Sequence, residues 1–521
     1  MATCNLALII RDGAKFILLK QNPPPKFGEE EYDSCVDSDL WDLPSTKLNP
    51  SDEKLELGVV VEDWDSSLEK IDLRKFDIMS ALSMVLGQVG YNVHECGNWS
   101  FLKLVEEAEF GPGLPLRTVF LTGNLMSRNQ NLPEQCKWMS VQNCLSWLLH
   151  VKSGSERVGP FVVAGLENDW QTSDKKVNTT LHYQEYPPGV VVVPMKSRTQ
   201  KPFHTTNLVI FAPENISKID DNHSFVAFGD ALVVDPGCRS DSYEELFNIV
   251  SALPRKLIVF ATHHHLDHIE GLSIIQKCNP EATLLAHENT MRYISKGQWS
   301  LGRTTIYGGE DICIGGQRLN VIYAPGHTNG HLGLFHVSTH SLIVGDHCVG
   351  QGSALLDIDS GGNMNDYFQS TYKFIELSPH VLIPMHGRIN LWPKHMLCGY
   401  LMHRRSREMS ILKAIESGAK TLFEIVASVY SEVDRSLWFH ASSNVRLHVE
   451  HLAIQNKLPR EFSIQKFHRT CGLHFLSRWT LSYITRELLS FNNSLLPGAL
   501  AAGAVASFAV LCWVRSWLSG Y

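Results

Sequence analysis

The sequence predicts an α/β protein with more than one domain. At 521 residues the chain is longer than one hydrophobic core usually serves, and its 44% hydrophobic and 19% charged residues are typical of folded globular proteins. Between residues 187 and 395, short apolar runs alternate with turns, and several of these runs end in His or Asp. Between residues 397 and 458, apolar residues instead recur at helical spacing. A strand-rich domain is therefore expected to precede a helical one.

The chain divides by pattern into four regions and a terminal segment. The expected regions are a mixed α/β domain (1–175), a strand-rich domain (187–395), a small three-helix domain (396–460), a polar and basic connector (461–494) and an uncharged tail (495–514). The tail has the length that a helix needs to cross a bilayer core. It predicts a C-terminal membrane anchor, and a packed terminal helix is the alternative.

Charge and cysteine content narrow the possible surroundings of the chain. A net charge of -8 gives no overall attraction to nucleic acid or to anionic lipid, so any basic surface has to be local. The twelve cysteines are scattered, and none forms a CxxC pair. They predict reduced, mostly buried thiols in a reducing compartment. Together with the predicted anchor, this pattern places the bulk of the chain on the cytosolic face of a membrane.

The strongest chemical signal is the segment 262–268, THHHLDH, directly after the apolar run 257–260. Imidazole and carboxylate groups at this density leave polar atoms unsatisfied unless a cation organises them. His263 and His265 are two residues apart, so on an extended chain they point the same way and can bind one metal ion. Asp267 and His268 begin a predicted helix and can turn toward a second ion. A surface histidine cluster without metal is the alternative.

This HxHxDH motif resembles the signature of the metallo-β-lactamase superfamily. Further segments match that family's pattern in order: DPG at 235–237, PGHTNGH at 325–331, GD at 345–346 and PMHG at 384–387. The resemblance implies an αββα sandwich that holds two divalent ions, with zinc expected. The ligands that it implies, with Asp346 bridging the two ions, are His263, His265, His327, Asp267, His268, Asp346 and His386.

The resemblance also implies a chemical role for the ions and for several residues. Two such ions lower the pKa of a shared water, which then attacks a phosphoryl or carbonyl group as hydroxide. Asp267 is expected to be the catalytic residue that steers this water or carries protons. Asp235 is expected to be structural, and His331 is expected either to act at the site or to be an ordinary packed histidine. His264 and His287 are expected not to be ligands.

The helical region resembles the winged-helix domain of β-lactamase-like proteins related to the mitochondrial endoribonuclease of the superfamily. Its stretch HRRSRE, at 403–408, contains Arg404, Arg405 and Arg407. Two interpretations of these arginines stay open. They hold phosphates near the metal site, or they form a solvated helix face that pairs with acidic neighbours.

The N-terminal region resembles a Nudix domain in the segments LALIIRDGAKFILLKQ, LWDLPSTKL and MSALSMVLGQVGY. In the last segment, however, Ser83, Met84, Gly87 and Gln88 stand where the Nudix motif has its arginine and magnesium-binding glutamates. The expected domain is therefore a degenerate Nudix-like one that binds, docks or supports without a catalytic role of its own.

Three functions remain after these observations. The favoured one is a metal-dependent endonuclease that cleaves the phosphodiesters of single-stranded RNA. The second is a hydrolase of small thioesters that resembles glyoxalase II, and the third is a metal-binding scaffold without enzymatic activity. The expected partners are accordingly single-stranded RNA or a small thioester, together with a membrane.

Overall fold

A computed structural model describes residues 3–28, 32, 35–51, 72–126, 132–152, 154–166, 177–213 and 224–490. The chain forms two compact units. The first unit comprises residues 1–323, 330–352 and 373–398, and the second comprises residues 324–329, 353–372 and 399–521.

The first unit begins with a mixed sheet that the N-terminal residues form. Its strands and helices, in chain order, are β1 (Cys4–Asp12), β2 (Lys15–Lys20), β3 (Leu40–Asp42), β4 (Ser45–Lys47), α1 (Ile78–Gln88), β5 (Cys96–Glu106), β6 (Arg117–Leu125), β7 (Cys136–Ser140), α2 (Val141–Leu149), β8 (Arg157–Val158) and α3 (Pro160–Gly165). The main strand order is β5-β6-β1-β2-β3-β8. Asp77 caps the start of α1, which covers most of the segment MSALSMVLGQVGY.

Two further sheets follow in the first unit. The elements of this part of the chain are β9 (Gln184–Glu185), β10 (Val190–Lys196), β11 (Thr205–Phe211), β12 (Phe225–Gly229), β13 (Ala231–Val234), α4 (Tyr243–Ala252), β14 (Leu257–Phe260), α5 (Leu266–Ile269), α6 (Leu272–Cys278), β15 (Thr283–Ala286), α7 (Glu288–Met291), β16 (Arg303–Thr305), β17 (Asp311–Ile314), β18 (Gln317–Tyr323), β19 (Leu332–His336), β20 (Ser341–Gly345), α8 (Met364–Glu376, of which residues 364–372 belong to the second unit) and β21 (Val381–Pro384). One sheet has the order β16-β15-β14-β13-β11-β10-β9, and the other has the order β12-β17-β18-β19-β20-β21.

The two sheets pack face to face around a shared apolar core. Val209 and Phe260 from the sheet that contains β11 and β14 meet Leu319 and Ile343 from the sheet that contains β18 and β20 in one buried cluster. The opposite face of the β11–β14 sheet is covered by α4 and α6, which bury Leu246 and other apolar residues against it. This layering is the predicted metallo-β-lactamase sandwich.

The second unit contains a helical core. Its helices are α9 (Pro393–Glu416, whose first turns belong to the first unit), α10 (Leu422–Val429), α11 (Trp438–Ile454), α12 (Ile464–Arg469) and α13 (Leu473–Ser490). Thr421 and Glu424 form a capping box at the start of α10. The region predicted as a connector contains α12 and α13, and Phe467 and Trp479 pack into the helical core. The core thus extends beyond the predicted end of the helical domain.

The expectations about the cysteines and about the membrane anchor need correction. Cys35 and Cys398 form a disulfide, so the prediction that every cysteine is a reduced thiol is wrong for this pair. Membrane attachment is not supported either, since among the described residues no helix is both long and apolar enough to cross a bilayer. Segment 495–514, on which the predicted anchor and the membrane-bound localisation rested, lies outside the described residues.

Candidate metal centre

The predicted site residues of the first unit follow strands whose carboxyl ends lie at the same edge. β13 and β14 are parallel neighbours, and Asp235 follows β13 directly while segment 262–268 follows β14. In the second sheet β20 and β21 are likewise parallel neighbours, with Asp346 directly after β20 and His386 just after β21. Because the carboxyl ends of parallel strands meet at one edge, residues far apart in the chain become neighbours.

A first group brings together His263, His265 and Asp346. One ligand atom from each of these residues lies within 4.8 Å of the others. Nε2 of His263 is 3.0 Å from Nδ1 of His265. Two nitrogens that converge on one point in this way are suited to bind a single cation.

A second group consists of Asp267, His268 and His386. Nε2 of His386 lies 3.4 Å from Oδ2 of Asp267 and 3.4 Å from Oδ1 of Asp346. The same Asp346 oxygen is 3.5 Å from Nε2 of His268. Asp346 therefore faces both groups, as a bridging carboxylate requires.

The other ring nitrogens of this second group are held by fixed acceptors. Nδ1 of His268 lies 2.8 Å from Oδ2 of the fully buried Asp235, and Nδ1 of His386 donates to the carbonyl oxygen of Thr205 at 2.9 Å. Thr262 anchors Asp235 in turn through its backbone N–H and its hydroxyl. Such partners fix the ring orientation and direct Nε2 toward a cation. Thr205 has no sequence signal, because it acts through its backbone.

His327 lies in segment 324–329, which belongs to the second unit. Its Nδ1 donates to the carbonyl oxygen of Leu355, 2.6 Å away in the same unit. This is the same use of Nδ1 that His386 shows in the first unit. The assignment of His327 as a metal ligand stays a prediction.

The backbone around the second group is tightly packed. A Cβ atom on Gly237 would lie 1.6 Å from the carbonyl oxygen of Asp267, so only glycine fits there. Nε2 of the buried His331 accepts a hydrogen bond from the backbone N–H of Asp346 at 3.1 Å. His331 therefore holds the backbone of Asp346, and this contact favours an orienting role over that of a merely packed histidine.

In the second group, the charges of neighbouring side chains shift the pKa values in the direction opposite to the effect of burial. Burial alone would lower the pKa of His386, but the carboxylates of Asp346 and Asp267 raise it to about 10. Burial would likewise raise the pKa of Asp267, yet the neighbouring His268 and His386 hold it well below its usual range. Without a cation, the carboxylates are balanced by protons on the histidines. A bound cation would replace these protons.

The donor set fits a pair of divalent cations. Nε2 of His268 is buried and makes no hydrogen bond within the described residues, while carboxylate oxygens lie 3.5 Å and 3.8 Å away. Leaving such an atom unsatisfied in the interior is costly unless a ligand binds it. Imidazole nitrogens and carboxylate oxygens suit zinc, manganese and iron alike.

Two histidines near these groups have other contacts. The ring of His264 stacks on Tyr293 with centroids 3.8 Å apart, and Tyr293 is 54% exposed. The ring of His287 stacks on Tyr323, and its Nδ1 accepts from the backbone N–H of Asn289. The expectation that neither histidine is a ligand stays a prediction. No sequence pattern marks Tyr293.

The arginines of the second unit are engaged within that unit. Arg404 is 2% exposed, donates to Asn444 and to the carbonyl oxygen of Ala354, and lies over the ring of Tyr367. A buried guanidinium held in this way is not part of a solvated helix face. Arg405 donates to the Tyr372 hydroxyl, and Arg407 lies over the ring of Tyr430. The phosphate-binding interpretation stays a prediction.

A sandwich of two sheets that gathers His and Asp side chains at one strand edge defines the fold of a metal-dependent hydrolase. Residues 225–386 match the family model described as metallo-beta-lactamase superfamily, and residues 421–463 match the beta-lactamase associated winged helix domain. The chain therefore carries a metallo-β-lactamase superfamily domain of the hydrolase type followed by a winged-helix domain.

Relatives share parts of this arrangement at low identity. The chain is 26% identical over 222 residues to the Beta-lactamase-like protein 2 homolog of Drosophila melanogaster, which is 38% of this chain and 69% of that protein. It is 32% identical over 139 residues to a hydroxyacylglutathione hydrolase of Aeromonas salmonicida, which is 26% of this chain and 50% of that protein. A beta-lactamase domain protein of Burkholderia ambifaria is 17% identical with a TM-score of 0.46, covering 57% of this chain and 94% of that one.

The match to the bacterial hydrolase therefore spans half of that relative's length. The two matching family models begin at residue 225 and leave the N-terminal region uncovered. The Nudix-like assignment of that region is not supported by these comparisons and stays a prediction.

Proposed function

We propose that this chain is a dinuclear metal-dependent hydrolase that cleaves phosphodiesters in single-stranded RNA. The observation that carries the proposal is the convergence of Asp267, His268 and His386 on the shared carboxylate of Asp346. Nε2 of His268 and Nε2 of His386 lie 3.5 Å and 3.4 Å from the same oxygen of Asp346, and imidazole nitrogens that converge on a carboxylate in this way suit a divalent cation.

In this proposal His263, His265 and His327 would hold one ion, Asp267, His268 and His386 would hold the other, and Asp346 would contribute to both. Two divalent ions, when bound, lower the pKa of a water molecule and neutralise negative charge that develops on the substrate. The carboxylate of Asp267 accepts a hydrogen bond from the attacking water and orients it. Asp235 and His331 hold His268 and Asp346 in position through the contacts described above.

RNA is favoured as the substrate by the surface beside the centre and by the domain that follows it. The half-exposed Tyr293 covers one face of His264, whose ring centroid is 6.5 Å from that of His263. Exposed aromatic rings bind unpaired bases by stacking, typically with about 1–3 kcal/mol per base. The sequence resemblance of the helical domain to that of β-lactamase-like proteins related to the mitochondrial endoribonuclease supports the same substrate class.

A thioester substrate is the second candidate. It is favoured by the 32% identity to a hydroxyacylglutathione hydrolase. The same pair of ions would then polarise a thioester carbonyl instead of a phosphoryl group.

The two substrates can be separated with the purified full-length chain. Labelled single-stranded RNA, the matching duplex and a panel of acyl-glutathione thioesters are offered before and after metal removal with a chelator, and again after zinc or manganese is restored. Metal-dependent cleavage of single-stranded RNA is the expected result. Turnover of thioesters alone would overturn the RNA proposal, and no metal-dependent turnover of either substrate would overturn the hydrolase.

The aromatic stack provides a sharper test of RNA. Replacing Tyr293 by leucine is expected to raise KM for single-stranded RNA roughly tenfold, because one stacking partner is lost. Tyr307→Leu is the matched control, since Tyr307 is also 54% exposed but lies against His287. Equal effects of the two substitutions on RNA cleavage would argue against base stacking at Tyr293.

A further inference from the structure

The loop that carries His386 contacts the N-terminal region of the same unit. Nε of Arg388 donates to Oε1 of Glu107 at 2.6 Å, and its Nη2 donates to Oε2 at 2.9 Å. The two arms of one guanidinium thus bind the two oxygens of one carboxylate. The side chains are 32% and 18% exposed, so solvent screens this pair less than a fully exposed one.

Glu107 is itself fixed by the backbone. Its Oε2 also accepts the backbone N–H of Leu116 at 3.0 Å. Arg388 makes longer contacts to the carbonyl oxygens of Pro112 and Leu114. The guanidinium of Arg388 is therefore surrounded by acceptors from residues 107–114, and Arg388 itself lies two positions after His386 in the chain.

A second contact reaches the same histidine by another route. The carbonyl oxygen of Thr205 holds Nδ1 of His386, and the hydroxyl of Thr205 donates to the carbonyl oxygen of Glu109 at 3.2 Å. Segment 107–109 therefore contacts the His386 loop at Arg388, and it also contacts Thr205, whose carbonyl oxygen holds the His386 ring.

The base of the loop is held from the N-terminal region as well. Arg157 is 2% exposed, and its Nη1 donates to the carbonyl oxygens of His380 and Leu391, which lie on either side of the loop. Its Nε and Nη2 donate to the carbonyl oxygen of Ser38 at 3.0 Å and 2.6 Å. Backbone bonds between Leu382 and Asn390 close the loop between these two points.

We propose that the N-terminal region positions the metal ligand His386, with Glu107 as the positioning residue that acts through Arg388. The inference rests on the proposed role of His386 as a ligand of the second ion. It assigns the N-terminal region a part in forming the metal centre. Residues that orient a ligand in this way typically change metal affinity by about 10-fold to 100-fold when they are replaced.

The test measures metal binding directly, in the full-length chain. Metal-stripped protein is titrated with Co²⁺, and the visible absorption of the bound ion, together with competition by a chelator, gives the affinity of each site. Glu107→Gln keeps the shape of the side chain and removes the charge. It is expected to weaken the second Co²⁺ by roughly 10-fold and to leave the first within about 2-fold.

A neighbouring residue provides the matched control. Glu106 pairs with Arg117 at 3.0 Å inside the N-terminal region, so Glu106→Gln removes an ion pair there without touching the loop. It is expected to leave both Co²⁺ affinities unchanged. Exchanging the charges, with Glu107→Arg and Arg388→Glu in one protein, is expected to restore part of the lost affinity.

Several results would overturn the proposal. Glu107→Gln protein that binds the second Co²⁺ as tightly as the Glu106→Gln control would do so, and so would an equal loss of affinity at both sites, which indicates general unfolding. Parent protein that binds fewer than two Co²⁺ ions would instead overturn the dinuclear centre itself. The two failures are therefore distinguishable.

Discussion

The two units each contain a buried cluster of histidines and a carboxylate, and they use the imidazole nitrogens differently. In the first unit, Nδ1 of His268 and Nδ1 of His386 bind Asp235 and a backbone carbonyl, so that their Nε2 atoms converge. In the second unit, Nδ1 of His451 and Nδ1 of His448 both point at Oε2 of Glu408, at 2.6 Å and 3.3 Å. The direction of the nitrogens, more than the number of histidines, distinguishes a metal centre from a hydrogen-bonded network.

In the helical cluster, burial and the hydrogen bonds to Glu408 set the pKa values. Burial would raise the pKa of Glu408, but hydrogen bonds from His448 and His451 lower it to about 2. Burial lowers the pKa of His448 to about 4. At neutral pH the cluster therefore holds an ionised carboxylate beside a neutral His448, and its role is expected to be structural.

The largest difference between the clusters is expected when one carboxylate in each is neutralised. Asp267→Asn removes a proposed metal ligand and the residue that orients the attacking water, so kcat is expected to fall by at least about 10³-fold, with loss of one bound ion per chain. Glu408→Gln is expected to leave both metal content and kcat unchanged. Metal analysis and single-turnover rates of both variants check this. Unchanged metal content and turnover in Asp267→Asn would remove the distinction.

The backbone under Asp267 offers a second way to break the metal centre. A methyl group on Gly237 would overlap the carbonyl oxygen of Asp267, so Gly237→Ala is expected to displace Asp267 and to lower the free energy of unfolding by roughly 3 kcal/mol. Gly87 in α1 has open space around it, and Gly87→Ala is expected to stabilise the protein by about 1 kcal/mol. Chemical denaturation measures both changes. A Gly237→Ala protein with normal stability and two bound ions would contradict the packing described for this loop.

Stability measurements test the role of the Glu408 cluster in the helical unit. Glu408 is 8% exposed and holds two imidazoles, so its neutralisation in Glu408→Gln weakens both hydrogen bonds. The free energy of unfolding of the helical unit is expected to fall by roughly 2 kcal/mol. Tryptophan fluorescence follows this transition, because Trp438 and Trp479 lie in the helical core. A stability equal to that of the parent would show that the network contributes little.

The smallest expected effect is a change in the stability of the helical unit with pH. The folded-state pKa of His448 lies below its ordinary value of 6.5, and that of Glu408 lies below 4.5. In both cases the unfolded chain binds a proton at a higher pH than the folded chain does, so the stability present at neutral pH is lost as the pH falls. His448 causes this loss between pH 6.5 and about 4, and Glu408 causes it between pH 4.5 and about 2. In Glu408→Gln the lower part of this dependence is expected to disappear. A parent whose helical transition does not change between pH 7 and pH 4 would contradict the assignment.

Local patterns predict the parts of the fold that depend on neighbouring residues. The run 257–260 and the motif after it predict both β14 and the His263–His268 loop, because a buried strand followed by ligands is a continuous feature. The helical spacing of Ile411, Ile415 and Leu422 likewise predicts residues that are buried in the structure.

Contacts between distant segments have no such signature. Arg388 and Glu107 are 281 residues apart, and the cysteines of the disulfide are 363 residues apart, so neither pairing has a local pattern. The sequence leaves Arg404 open as a phosphate-binding residue or as part of a solvated helix face, and tertiary packing buries its guanidinium against Tyr367. Side chains whose partners lie on other elements could not be assigned before the fold was known.

The long separation between Glu107 and Arg388 also has a consequence for how the protein is made. During synthesis, the N-terminal sheet is complete long before the ribosome adds the loop that contains His386. Contacts that close such long loops form late in folding, because the ordering of the intervening chain has to come first. The newly made chain therefore contains His263 and His265 well before the last of the proposed ligands, and the proposed pair of ions is expected to bind only after residue 388 has docked.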